Sequence, residues 1–226
     1  MNLVFSWSWL PKLAEGLLLT LELTAISMSV GAFFGIVLAI TRIYARGPLL
    51  PLYLLASGYV HFFRGTPLLV QLMTIYFALP TVGLRFSPFS AGVLALTLNT
   101  AAYQAEYFRG AIQSVRAGQM QAALALGLSR LQALRYVILP QALRLVIPPW
   151  SNELIYMVKG SAVVYLIGAT ELMGQAKNIA ARTFRNFEVY IVVALFYLAL
   201  ILVLTLILRW VERKTRVPGL GLPGRA

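Results

Sequence analysis

The chain has 226 residues, 60% of them hydrophobic and only 12% charged, with a mean hydropathy of +0.80; soluble domains carry about 25% charged and 45–50% apolar residues, so composition points to a membrane protein. The net charge of +12 is spread thinly through apolar sequence, which argues against nucleic-acid binding and fits basic membrane loops. With no cysteine, no aspartate and one histidine, His61, a disulfide, a thiol nucleophile, a Ser-His-Asp triad and a His-rich metal site are all excluded.

A bilayer-crossing helix needs roughly 20 mostly apolar residues, and five stretches qualify. The N-terminus lacks the pattern of a cleaved signal peptide, so the first stretch, about Leu17–Thr41, is expected to remain as a span. The second, Leu50–Leu79, is interrupted at Arg64-Gly65-Thr66-Pro67. The third is about Pro88–Phe108. The fourth is about Val146–Gly168, with Pro148-Pro149 expected in its first turn, where a missing amide costs nothing. The fifth, Val189–Leu208, is an unbroken apolar run.

Lysine and arginine are retained on the cytoplasmic side. Lys12, Arg85, Lys177, Arg182 and Arg185 fall on one side of these spans. Arg42, Arg46, Arg109, Arg116, Arg130, Arg135, Arg144, Arg209, Arg213, Lys214, Arg216 and Arg225 fall on the other. The expected fold is therefore an all-α integral membrane domain, residues 1–226, with the N-terminus outside and the C-terminus cytoplasmic. Trp7, Trp9 and Trp210 are expected as interface anchors. The stretch Glu171–Phe187 reads as an amphipathic outer helix, suited either to a partner protein or to the membrane surface.

The connection between spans three and four, about 109–145, is then cytoplasmic. Gln119–Leu126 is rich in helix formers and Gly127 follows as a stop. Ser129, three residues before Gln132, forms a capping-box pattern that restarts a helix. Leu131, Leu134 and Ile138 share one face of that helix, which is expected to run to Pro140.

That loop reads Gln121-Ala122-Ala123, then Gly127, then Val137-Ile138-Leu139-Pro140. It resembles the EAA loop of ABC importer permeases, with Gln121 in place of the family glutamate and Val137 in place of the usual isoleucine. The segments Phe63–Gln71, Ala102–Gln119, Pro148–Lys159 and Ile179–Glu188 resemble the polar amino acid permeases of the histidine/glutamine/arginine type, over about Gly16–Glu212. The resemblance implies a transport subunit without its own ATPase, and the chain has no phosphate-binding G-x-x-x-x-G-K-[ST] loop. It implies that Gln121, Ala122, Ala123, Gly127, Leu139 and Pro140 couple to an ATPase dimer, which binds the ATP and magnesium. It also implies a second permease copy, an extracytoplasmic amino-acid-binding protein and a bacterial inner-membrane location. In the family an acidic residue usually follows the equivalent of Lys159; here Gly160 stands there, so substrate preference is expected to differ.

Charges inside a membrane are costly and usually functional or paired. Helical spacing puts Asn152, Tyr156 and Lys159 on one stripe of span four, with Glu153 about 100° round the helix. Lys159 suits a substrate carboxylate and Glu153 an ammonium; a Lys159 ion pair with a structural glutamate fits equally. Asn99 suits either substrate or an interhelical hydrogen bond. Glu106 is expected to pair with Arg109, Arg64 to bond carbonyls freed at the helix break, Glu22 to reach the outer interface, and His61 to be a packed or hydrogen-bonded side chain. The rival function is a self-contained channel or secondary transporter, but no internal repeat is evident.

Overall fold

The computed structural model describes residues 7–215, which are helical nearly throughout and contain no strand. Arg216, Arg225 and the side chain of Trp7 lie outside the described residues. Helix α1 runs Leu10–Tyr44, and its 35 residues reach about 52 Å, further than the expected span. Helices α2 (Leu50–Gly65) and α3 (Leu68–Met73) meet at Thr66-Pro67, where the sequence predicts the interruption. After α3 the backbone widens into a π turn, Thr74–Ala78, and closes with a 3-10 turn that Gly83 ends at φ +89°. The two limbs bend by 105°.

Helix α4 (Pro88–Ser114) starts where the Ser87 hydroxyl accepts the Ser90 amide at 3.2 Å. Helices α5 (Ala117–Ala125) and α6 (Arg130–Ala133) form the helix-turn-helix expected between spans three and four. The second helix does not stop at Pro140, as its sequence suggests. It widens into a π turn, Leu134–Ile138, and continues as α7, Leu139–Gly160. Pro140 cannot donate to the preceding turn, and the widened turn lets the helix carry on past it. Pro148 and Pro149 therefore lie inside α7 and not in a first turn. A 3-10 stretch, Ser161–Ile167, ends at Gly168 with φ +93° and leads to α8 (Leu172–Thr183) and α9 (Asn186–Thr215).

Helix α4 is the centre of the molecule, packed by α1, α2, α3 and α7. Its contact with α1 is close because Gly31 and Gly35 face it. A Cβ on Gly31 would stand 2.6 Å from Thr100 Cγ2, and one on Gly35 would stand 3.2 Å from the Ala105 amide. This spacing of two glycines four apart is the small-residue pattern by which membrane helices approach. One apolar cluster joins α1, α3, α4 and α7 around Leu23, Leu72, Leu96 and Met157. A second fastens α5–α7 to the ends of α1 and α4 through Ala39, Ile112, Leu134 and Ile138. Trp9 belongs to a third, with Leu13, Leu172 and Val189, so it packs in a core and is not an interface anchor.

By length and composition α1 and α9 could each cross a bilayer alone, and the α2–α3 and α6–α8 bent pairs qualify if each counts as one span. Helix α4 has the length, at 27 residues, but is too polar to qualify.

Candidate functional site

Helix α7 continues from α6 through the Leu134–Ile138 π turn and ends at the Gly160–Gly168 stretch, and along it one face stays uncovered. Asn152, Tyr156 and Lys159 are exposed along it, as helical spacing requires. Lys159 has no ion pair among the described residues. At Gly160 an added side chain would meet only Leu68 Cδ2, at 3.7 Å, so the missing side chain leaves room beside the stripe.

Glu153 points the other way and is 3% exposed. Its two oxygens accept from Thr100 Oγ1 at 2.9 Å and from the Tyr107 hydroxyl at 3.1 Å. Gln104 extends the network: its amide nitrogen donates to Thr100 Oγ1 at 3.1 Å and to the Met28 carbonyl at 3.2 Å, and its oxygen accepts from Trp150 Nε1 at 2.8 Å. These bonds tie α1, α4 and α7 behind the stripe. Thr100, Gln104, Tyr107 and Trp150 were not singled out from sequence; the available signal was that Thr100, Gln104 and Tyr107 recur at steps of four and three along α4, with Trp150 three residues before Glu153 on α7.

At the α2–α3 break the freed carbonyls are served by Gln71, not Arg64. Gln71 Nε2 lies 2.9 Å from the Phe63 carbonyl and 2.8 Å from Thr66 Oγ1, to both of which it donates. Its oxygen accepts from Asn99 at 3.1 Å, so Asn99 is 3% exposed and braces the break from α4. Arg64 turns to Glu106 at 4.0 Å and over the Tyr103 ring at 5.3 Å. Glu106 pairs with Arg109 at 2.6 Å, as its spacing predicts, and also with Arg42, whose own Nε donates to Ser57 at 3.2 Å. His61 bonds the Ser57 carbonyl through Nδ1 at 2.6 Å. Glu22 is exposed on α1.

The α5–α6 element has two sides. Its inner side buries Ala123, Leu134 and Ile138, while Leu139 is half-buried. Its outer side exposes Gln121, Ala122, Gly127 and Pro140, with Leu126 83% and Leu131 74% exposed at the tip. Gly127 holds φ +83°. Its amide donates to the Leu124 carbonyl at 3.0 Å and the Leu128 amide to the Ala123 carbonyl at 3.1 Å, a paired left-handed stop that favours glycine. Two residues on, the Ser129 hydroxyl accepts the Gln132 amide at 3.3 Å while the Gln132 side chain accepts the Ser129 amide at 2.8 Å. Both predicted signals are thus present, although Leu131 faces out instead of joining Leu134 and Ile138.

Helix α8 is shorter than the predicted Glu171–Phe187. Glu171 is its cap, accepting the Met173 and Gly174 amides at 3.0 and 2.9 Å and the hydroxyls of Thr20 and Tyr197 at 3.3 and 3.2 Å. Gly16 lets α1 pass within contact of Leu172. Lys12, Glu15, Gln175, Asn178, Ile179 and Arg182 line a cleft of about 160 Å³ beside it.

Residues 31–217 match the family described as binding-protein-dependent transport system inner membrane component. The chain is 40% identical to the glutamine transport system permease protein GlnP of Escherichia coli K12, over 93% of this chain and 96% of that one. It is also 40% identical to the arginine transport system permease protein ArtQ of Bacillus subtilis 168, over 96% and 99%. Among solved structures, a crystal structure of an amino acid ABC transporter with histidines is similar with a TM-score of 0.85 and 40% identity, covering 92% of this chain and 95% of that chain. An inward-facing MetNI methionine ABC transporter is similar at 0.80 with 25% identity, covering 94% and 100%. With the match extending over most of its length and the helix-turn-helix in place, the chain belongs to the family of binding-protein-dependent transport system inner membrane components.

Proposed function

We propose that the chain is the membrane subunit of an ATP-driven importer of polar amino acids, and that it works by alternating access in the bacterial inner membrane. The observation that carries this is the α5–α6 element: a rigid turn with buried anchors inside and apolar side chains bared outside. Exposed apolar tips on a polar loop mark a protein partner, and a stiff element fastened to α1, α4 and α7 can transmit a partner's motion to packed helices. In this reading Gln121, Ala122, Ala123, Gly127, Leu139 and Pro140 form the coupling surface for an ATPase dimer, which supplies the ATP and magnesium chemistry. Five spans place α5–α6 in the cytoplasm and α8 outside, where an amino-acid-binding protein delivers substrate. Here α4 counts as the third span despite its polarity, because its neighbours cover it. A second permease copy faces the α7 stripe, so that Asn152, Tyr156 and Lys159 line the path between them, with Glu153 and Asn99 behind.

The test is ATPase activity of this chain assembled with its ATPase in proteoliposomes, with binding protein and an amino-acid panel. Stimulation by one or a few amino acids is expected. Gly127→Pro cannot adopt φ +83° and loses the bond to Leu124; it should abolish stimulation while basal hydrolysis persists. Solute movement by the chain alone, without an ATPase, would sink the importer reading in favour of a secondary transporter.

A further inference from the structure

Between Glu106 and Glu153 the chain has no carboxylate, and its charges there are Arg109, Arg116, Arg130, Arg135 and Arg144. Arg109 bonds Glu106 and Gln113. The other four are exposed and make no ion pair among the described residues. They fall into two pairs. Arg116 and Arg144 stand at the root of the α5–α6 element, each a few residues from the 3.4 Å bond of Gln141 to Gln119 that closes α5 on α7. Arg130 and Arg135 stand among the bared apolar side chains. Arg130 adjoins Leu131, and Arg135, one turn on, lies over the ring of Tyr136 at 5.7 Å, itself 63% exposed. Gln121, in place of the family glutamate, keeps this outer side free of negative charge.

The inner side of the element packs on the ends of α1 and α4, so its outer side points away from the helix bundle. Basic membrane loops account for Arg116 and Arg144 at the root, but not for a pair beyond the packed layer. A partner that covers Leu126 and Leu131 also covers Arg130, which lies between them in the chain. A charge taken out of water without a counter-charge is strongly destabilising. This element has no carboxylate to offer, so the partner must bring one. A guanidinium meets a carboxylate through two parallel hydrogen bonds, which fixes orientation as well as charge.

We propose that the ATPase groove receiving this element has an apolar floor rimmed by carboxylates, and that Arg130 and Arg135 select the partner by pairing with that rim. The proposal rests on reading α5–α6 as the coupling surface and adds the charge of the groove it enters. An ATPase with a basic or neutral rim would leave both guanidiniums unpaired and be rejected.

The experiment is binding of the separately purified ATPase to the intact permease in nanodiscs, read as Kd, with each variant first shown to be monodisperse. Arg130→Glu and Arg135→Glu should each weaken binding at least about tenfold, as when one member of a desolvated charge pair is lost. Reversing one groove carboxylate to lysine should restore the affinity of Arg130→Glu. The root variant Arg116→Glu/Arg144→Glu should stay within about twofold of the unaltered chain, as for surface changes away from a contact. Leu131→Ala tests the coupling surface alone and should weaken binding whatever the rim carries. Full affinity of Arg130→Glu and Arg135→Glu, with Leu131→Ala weakened, overturns the acidic rim and leaves the coupling surface standing. So does a loss that no carboxylate reversal restores. A loss confined to phosphatidylglycerol nanodiscs and absent from phosphatidylcholine ones assigns the arginines to the membrane surface and overturns the rim as well. Full affinity of every variant, Leu131→Ala included, overturns the coupling surface and the rim together.

Discussion

Helices α9 and α4 carry opposite lessons about hydropathy. The apolar run of α9 is unbroken, yet only 11% of it is buried. Helix α4 is too polar to pass as a span, yet it buries Thr97, Asn99, Thr100 and Gln104 together with a line of alanines. The difference follows from the solvent. Lipid tails are as apolar as leucine, so a leucine gains little by leaving them, and helices associate through close backbone approach and interhelical hydrogen bonds. Hydropathy thus singles out the least buried helix, and the helix at the centre is marked by small and polar residues.

The most direct way to break this comparison is to spoil the close approach. Gly31→Leu would drive a side chain into Thr100 and Gln104, whose atoms lie 2.6 and 3.0 Å from the position of a Cβ. We expect a loss of about 3 kcal/mol, the upper range for overpacking, read as failure to purify as a monodisperse complex or a sharply lowered Tm. A stable Gly31→Leu protein would mean that α1 and α4 are not in contact where they pack here. A smaller effect is expected from Gln104→Leu, which keeps the volume and removes the bonds to Met28, Thr100 and Trp150. Interhelical bonds in membranes average about 0.6 kcal/mol with a maximum near 1.7. The loss should therefore be about 1–2 kcal/mol in thermal unfolding of the complex.

What the sequence makes legible divides along the same line. Stops and caps are local, so Gly127, the Ser129–Gln132 box and the break before Pro67 are read from a few neighbours and are found in place. The direction in which a side chain leaves its helix is not local. Arg64 sits next to the break and would be the obvious brace, but Gln71, one limb further on, faces the freed carbonyls, and Asn99 on α4 completes it. The misplacement of Pro148-Pro149 has a similar origin. Proline suits a first turn, but a helix already running from the Ser129 cap passes through both, leaving the Arg144 and Leu145 carbonyls without their helical donors. Asn152, Tyr156 and Lys159 were legible as a stripe because α7 is regular there. Of the arginines gathered on Glu106, Arg109 was legible from its spacing, but Arg42 and Arg64 were not, since they come from two other helices.

The smallest effect sharpens the comparison most. Leu202 and Leu206 lie on α9 at 55% and 64% exposure. If lipid is their solvent, Leu202→Ala or Leu206→Ala exchanges one apolar surface for another, and each should change stability by less than about 0.5 kcal/mol, as for substitutions away from packed features. Thermal unfolding of the complex in nanodiscs checks this. A cost of about 2 kcal/mol or more is what truncating a buried leucine produces. That result would place the outer face of α9 against another protein surface, and low burial in a single chain would then cease to mean exposure to lipid.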